Sequence, residues 1–131
     1  MLPPVRYIGL DRRRPPRMPA GAWQAHDLTH PWPMGLSGDV GLLVGVLEHL
    51  DDPVGLLTTL RGAVKVLIVE VPDHEANPLN WARRQVGCRW YSDDDHVREY
   101  TKGELQVQLL VAGWKPVHWV QRGLMVTAVC R

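Results

Sequence analysis

The stretch from Val64 to Val71, Val-Lys-Val-Leu-Ile-Val-Glu-Val, restricts the fold more than any other part of the chain. Its β-branched and apolar residues follow one another almost without a break, which predicts a strand. Pro72 stops it. A second run, Asp39 to Val46 (Asp-Val-Gly-Leu-Leu-Val-Gly-Val), is nearly continuous in apolar character. Continuous rather than alternating apolar residues suit a strand covered on both faces, as in a parallel sheet. A helix is expected between the two runs. Asp52 before Pro53 makes a cap and first-turn pair. Leu56, Leu57 and Leu60 share one face, and Gly62 is the expected stop.

The flanks add smaller elements. Val5 to Leu10 reads as a short buried strand with Asp11 at its carboxyl end. Residues 12–21 are rich in Arg, Pro and Gly and predict a loop. Ala22 to His26 reads as a short strand followed by Asp27, and Pro31, Pro33, Gly35 and Gly38 keep the next stretch irregular. A helix is expected near residues 76–86, then a loop. Thr101-Lys102-Gly103-Glu104 is a capping box opening a helix to Ala112, with Gly113 as its stop. Trp114 to Gln121 and Leu124 to Cys130 predict an antiparallel hairpin turning at Arg122-Gly123. Strands alternating with helices before a closing hairpin give an α/β fold with a largely parallel sheet.

Composition narrows the function classes. The 131 residues are 45% apolar and 22% charged, with a formal net charge of +1, enough for one soluble core and no general attraction to polyanions. Arg12, Arg13, Arg14 and Arg17 form a local basic cluster, but Pro15 and Pro16 break it and no aromatic residues interleave. A solvated loop is the expectation, and no nucleic-acid partner is predicted. Cys88 and Cys130 lack metal-ligand spacing and read as reduced thiols, which places the protein in the cytoplasm. No apolar run is long enough to span a bilayer. Met1-Leu2-Pro3-Pro4 has neither the basic start nor the apolar stretch of a signal peptide.

Several segments, in order, carry a family resemblance. Leu43-Val44-Gly45-Val46-Leu47-Glu48-His49-Leu50-Asp51-Asp52-Pro53 resembles the segment after the fourth strand of class I S-adenosylmethionine (SAM) dependent methyltransferases. Tyr7-Ile8-Gly9-Leu10-Asp11 resembles the end of their second strand, and Gln24-Ala25-His26-Asp27-Leu28 their third. Val69-Glu70-Val71-Pro72-Asp73 resembles the end of strand five. His96-Val97-Arg98-Glu99-Tyr100-Thr101 resembles the lead into the last helix, and Ala112-Gly113-Trp114 the step into the final hairpin. The likeness covers residues 5–130 and points to the broad small-molecule and lipid group. It implies a Rossmann-like three-layer sandwich, a mostly parallel sheet with an antiparallel C-terminal hairpin strand, as one domain over residues 1–131.

The departure from that family is physical as well as textual. No Gly-x-Gly-x-x-Gly pattern stands in the chain, although glycine is what lets a backbone approach a bound cofactor closely. Relative to the family the chain reads as N-terminally truncated, missing the central first strand, its glycine-rich turn and the helix between strands two and three. Residues 5–10 are then expected to pair directly with 39–46, unless a partner fills the gap or the sheet rearranges. The resemblance makes Asp11 the acceptor for the ribose hydroxyls of SAM and Asp27 the neighbour of the adenine amino group. The bland alternatives are a loop acid paired with Arg12 to Arg14, and a turn residue near Thr29 and Pro31.

Glu48 and His49 are the candidates for catalysis, as a pocket wall or proton acceptor; the alternative is a pair that fixes the turn into the helix at Asp52. Asp73, His74 and Glu75, and later Asp93, Asp94, Asp95 and His96, are acidic and polar runs without zinc-type spacing, and no metal is predicted. Trp81, Trp90 and Tyr91 are read as packing residues, or as lining for a small-molecule substrate. Three functions remain open: a SAM-dependent methyltransferase acting on an unknown small molecule, a non-catalytic module that binds or self-associates through strand edges, and a piece completed by a partner subunit.

Overall fold

The computed structural model describes residues 5–17 and 22–131. The chain divides into two compact units, Met1–Met34 and Gly35–Arg131. In the first, β1 (Gly9–Asp11) pairs in parallel with β2 (Trp23–Ala25), Leu10 opposite Gln24. The amide of His26 donates to the Asp11 carbonyl at 3.0 Å and carries the ladder one step further. Residues 12–17 form no helix, as their arginines and prolines dictate; residues 18–21 of the expected loop lie outside the described residues.

The second unit holds a four-stranded sheet of order β3-β4-β6-β5. β3 spans Gly38–Val44, α1 Pro53–Ala63, β4 Val64–Pro72, α2 Pro78–Gln85, α3 Lys102–Val111, β5 Pro116–Arg122 and β6 Met125–Cys130. β3 and β4 are parallel, Leu43 opposite Val69, joined by the crossover through α1 that a parallel pair needs. β6 lies antiparallel between β4 and β5. Leu67, Val69 and Val71 of β4 sit opposite Cys130, Ala128 and Val126 of β6, and all six are buried. Against this face α1 brings Leu56, Leu57 and Leu60, and α3 brings Leu105 and Leu109. Each fully buried leucine contributes roughly 1.5–3 kcal/mol of apolar transfer. Trp114 closes the layer, its indole N–H donating to the Leu57 carbonyl at 2.8 Å while the Arg61 guanidinium lies over the ring at 4.8 Å.

Four expectations are corrected. β1 does not pair with β3: of the first apolar run only Gly9 and Leu10 enter a strand, with Asp11, and that strand pairs with β2. The sheet is mixed, not mostly parallel, because the hairpin docks its second strand against β4 and so adds two antiparallel pairings. A third layer is absent among the described residues. Val40, Leu42 and Val44 alternate onto the face away from Leu43 and remain 57%, 64% and 51% exposed; no helix of the second unit packs on that face. Finally, α1 passes through Gly62 to Ala63 and runs directly into β4, the Val64 amide bonding back to the Leu60 carbonyl. Glycine costs a helix end little, and here its φ stays negative.

Candidate functional site

At the carboxyl end of β3 the chain must turn sharply, and Gly45 allows it with φ +61°, its amide held by the Glu70 carbonyl at 3.1 Å. A single 3₁₀ turn, Leu47–His49, follows before Asp52 caps α1 by accepting the Gly55 N–H at 2.9 Å. This short turn points Glu48 inward, 2% exposed, and His49 outward. The segment leading to α3 is laid against the same turn. The Glu48 carbonyl accepts the amides of Val97 and Arg98 at 3.0 and 3.3 Å, and the Arg98 guanidinium donates to the carbonyls of Leu50 and Asp51 at 3.0 and 2.9 Å. At its far end the segment is fixed by the His74 amide donating to the Tyr100 carbonyl at 2.9 Å.

These bonds gather a polar cluster from distant parts of the sequence. His96 Nδ1 lies 2.7 Å from Glu99 Oε1, and the buried Glu99 carboxylate also accepts the Ser92 amide at 2.6 Å and the Ser92 hydroxyl at 3.0 Å. His49 Nδ1 lies 3.1 Å from the Asp95 carbonyl. The His49 and His96 rings meet edge to face with centroids 4.8 Å apart. Glu48 Oε2 is buried and makes no hydrogen bond. Burial pushes the Glu48 carboxyl above its ordinary value, against the weaker pull of its own backbone N–H and the two histidines. One oxygen of Glu48 and one ring nitrogen of each histidine lie within 4.8 Å of one another. Next to His96 an open cavity of about 350 Å³ is lined by Trp90, Tyr91 and residues 87–89. Of the three aromatic residues weighed as pocket lining, Trp90 and Tyr91 border this cavity, whereas Trp81 is 69% exposed on α2.

The structure thus joins the two candidates for catalysis, Glu48 and His49, to His96, and sets the candidates for cofactor binding in the other unit. Asp11 ends β1, exposed, its Oδ1 accepting the Arg13 amide at 2.9 Å beside an open depression lined by Asp11, Arg12 and Arg13. Asp27 Oδ1 accepts both the amide and the hydroxyl of Thr29, at 2.9 and 2.7 Å. Those bonds, the amide first, hold the Asp27 carboxyl below its usual range, as in an Asx-type turn. Asp73 accepts the Glu75 amide, Asp93 accepts the Asp95 amide, and Asp94 pairs with Arg89, so the acidic runs serve their own turns.

For SAM the fit is partial. A carboxylate at the end of β1 suits a ribose, but the Asp27 oxygen is already engaged by Thr29, and the sequence holds no glycine-rich turn for the methionine end. The role of Glu99 and Ser92 escaped the sequence reading. The available signal was the His96-x-x-Glu99 spacing, which brings the two side chains together in the irregular segment before α3.

No family model matches this chain, and no curated protein matches it. Solved structures do. The chain is similar to small RNA methyltransferase HEN1, with a TM-score of 0.65 and 16% identity, over 83% of this chain and 16% of that one. It is similar to CalO1, a methyltransferase of calicheamicin biosynthesis solved in its SAH-bound form, with a TM-score of 0.57 and 22% identity, over 85% and 34% of the two chains. A third likeness is to an O-methyltransferase family 2 protein from Planctomyces limnophilus in complex with apigenin, at a TM-score of 0.61 and 18% identity, over 83% and 34%. The chain therefore has the α/β fold of class I methyltransferases and spans about a third or less of the length of these three structures.

Proposed function

We propose that this chain forms the acceptor-side part of a SAM-dependent methyltransferase for a small molecule, and that it takes up the cofactor once a further strand bearing a glycine-rich turn is added along β3. The observation that carries the reading is the free edge of β3. Among the described residues it is bonded on one side only, to β4, while Val40, Leu42 and Val44 stand exposed. An apolar strand of this kind, left as an edge, exposes a row of backbone donors and acceptors that another strand can satisfy. Glu48 and His49 stand at the carboxyl end of that strand, the end where ligands bind in open α/β sheets.

SAM, when bound, supplies an activated methyl group to an oxygen, nitrogen or carbon nucleophile. The residues of this chain do the rest. Asp11, and with less freedom Asp27, would accept hydrogen bonds from the adenosine. His49, its Nδ1 occupied by the Asp95 carbonyl, keeps an Nε2 lone pair to receive a proton from the acceptor. Trp90 and Tyr91 give the acceptor an apolar wall.

Calorimetric titration with S-adenosylhomocysteine tests this, on the chain alone and on the chain extended at its N-terminus by a strand, glycine-rich turn and helix. Micromolar binding is expected only in the extended protein, weakened at least tenfold by Asp11→Asn. Micromolar binding by the chain alone removes the need for the added strand. No binding by a folded extended protein rejects the methyltransferase reading. The same β3 edge supports a second reading, a non-catalytic module that pairs with its own copy. Sedimentation then shows a reversible dimer that Leu42→Lys dissociates.

A further inference from the structure

We infer that the cavity bordered by Trp90 and Tyr91 binds a small aromatic carboxylate, a flat ring whose carboxyl group pairs with Arg84. The inference deepens the methyltransferase reading by naming a class of methyl acceptor. It rests on that reading only for the ligand being methylated; the binding itself stands apart from it.

A helix stop builds the wall. Gly87, with φ +70°, ends α2 in a Schellman turn: its amide donates to the Arg84 carbonyl at 3.3 Å, and the Cys88 amide donates to the Arg83 carbonyl at 2.9 Å. The reversal carries Trp90 back onto His74, with ring centroids 4.9 Å apart. His74 is buried and its Nδ1 lies 2.9 Å from the Tyr100 carbonyl, so the indole stands on a fixed base. Tyr91 meets Trp90 at 70° with centroids 5.0 Å apart. The two rings form an aromatic corner on a cavity of about 350 Å³. That volume lies at the small end for ligand sites and admits one ring or two fused rings. Edge-to-face and offset contacts draw a further ring to such a corner.

Charge selects the substituent. Residues 76–92 include Arg83, Arg84 and Arg89 and no acidic residue. Arg89 is engaged: it pairs with Asp94 at 3.1 Å and donates to the carbonyls of Asp93 and Asp94 at 3.4 and 3.3 Å. The other acids near the cavity are occupied too. Asp93 accepts the Asp95 amide at 3.2 Å, and Glu99 is bonded to Ser92 and His96. Arg84 differs. Its guanidinium stands over the Trp90 ring, 5.3 Å from the centroid, and it makes no ion pair among the described residues. A guanidinium placed by a ring keeps its planar N–H fork for two parallel bonds to a carboxylate. Spacing in the sequence did not show this, because Arg84 belongs to α2 and reaches Trp90 only through the reversal at Gly87.

The test uses the full chain without SAM and three probes: 4-hydroxybenzoate, its neutral amide 4-hydroxybenzamide, and cyclohexanecarboxylate. Binding is read from the shifts of the Trp90 indole N–H and the Arg84 Nε–H in ¹H–¹⁵N spectra. A ligand the size of 4-hydroxybenzoate should saturate these shifts with a Kd on the order of 1 mM or below. The amide, which lacks the charge, and the cyclohexane acid, which lacks the ring, should each bind about fivefold more weakly or worse. Arg84→Gln should weaken the aromatic acid by about the same factor and leave the amide unchanged. Arg122→Gln should bind as the parent does. Arg84 is exposed, and thermal melts check that its variant keeps the fold; the comparison of acid with amide needs no variant at all. No saturable shift at about 10 mM acid, equal binding of acid and amide, or tighter binding of adenosine 5′-monophosphate than of the acid would overturn the inference. Because SAM is absent, failure here leaves the S-adenosylhomocysteine titration of the extended protein untouched, and failure of that titration leaves this site standing.

Discussion

Cys88 and Cys130 carry the same thiol in opposite surroundings. Cys88 is exposed beside the open cavity, while Cys130 is buried on β6 opposite Leu67. A maleimide should therefore label the native protein at Cys88 alone and both cysteines once the chain is unfolded. Burial also pushes the Cys130 thiol up to about 11 from 9.0. A folded value above the unfolded one means that the native state holds its proton longer. The contribution to stability is complete below pH 9 and is lost as pH rises through about 11. Its size is on the order of 2–3 kcal/mol. Thermal melts should thus fall more steeply over this window in the parent than in Cys130→Ala, which has no proton to lose there. Parallel curves for the two proteins would show that the thiolate is not penalised where it sits.

Helix ends were the most legible elements, because a cap depends on neighbours a few residues apart. Thr101 and Glu104 make the reciprocal capping box, the Glu104 amide reaching Thr101 Oγ1 at 3.0 Å and the Thr101 amide reaching Glu104 Oε2 at 2.8 Å. Gly113 ends α3 with φ +83°. Thr101→Ala should cost about 1 kcal/mol in chemical denaturation. Leu109→Ala, which removes a fully buried side chain between α3 and the sheet, should cost roughly 2–5 kcal/mol. If the cap variant proves the more costly of the two, the packing assigned to α3 is wrong. What needed tertiary information was not legible. The apolar runs announced β3 and β4 but not that β1 would choose β2, since a three-residue strand carries no register signal. Glu48 and His49 could be read as a pair, yet their partner His96 arrives through backbone bonds to the Glu48 carbonyl that no spacing encodes. Gly62 misled for the opposite reason: the continuation into β4 is set by the pairing of Val64 with Gly38, not by the glycine.

The two units differ in what holds them, and this sets an order of opening across the molecule. Every buried apolar side chain among the described residues lies between Leu43 and Cys130, inside the second unit. The first unit has two three-residue strands whose exposed neighbours include Tyr7 and Ile8. Local opening is governed by buried apolar contact, and regions without it open at little cost. Native-state hydrogen exchange should accordingly separate two classes of amide. Those of Gly9 to Asp11 and Trp23 to Ala25 should exchange by local opening, with rates insensitive to Leu109→Ala. Those of β4 and β6 should exchange only through global unfolding and should quicken by the full destabilisation that this substitution brings. Protection of β1 that rises and falls with β4 would instead mean that the short parallel pair is part of the same cooperative core. The free edge of β3 supplies the matching test: its outward amides, bonded to nothing in the sheet, should be unprotected in the chain alone and become protected when a strand is added beside it.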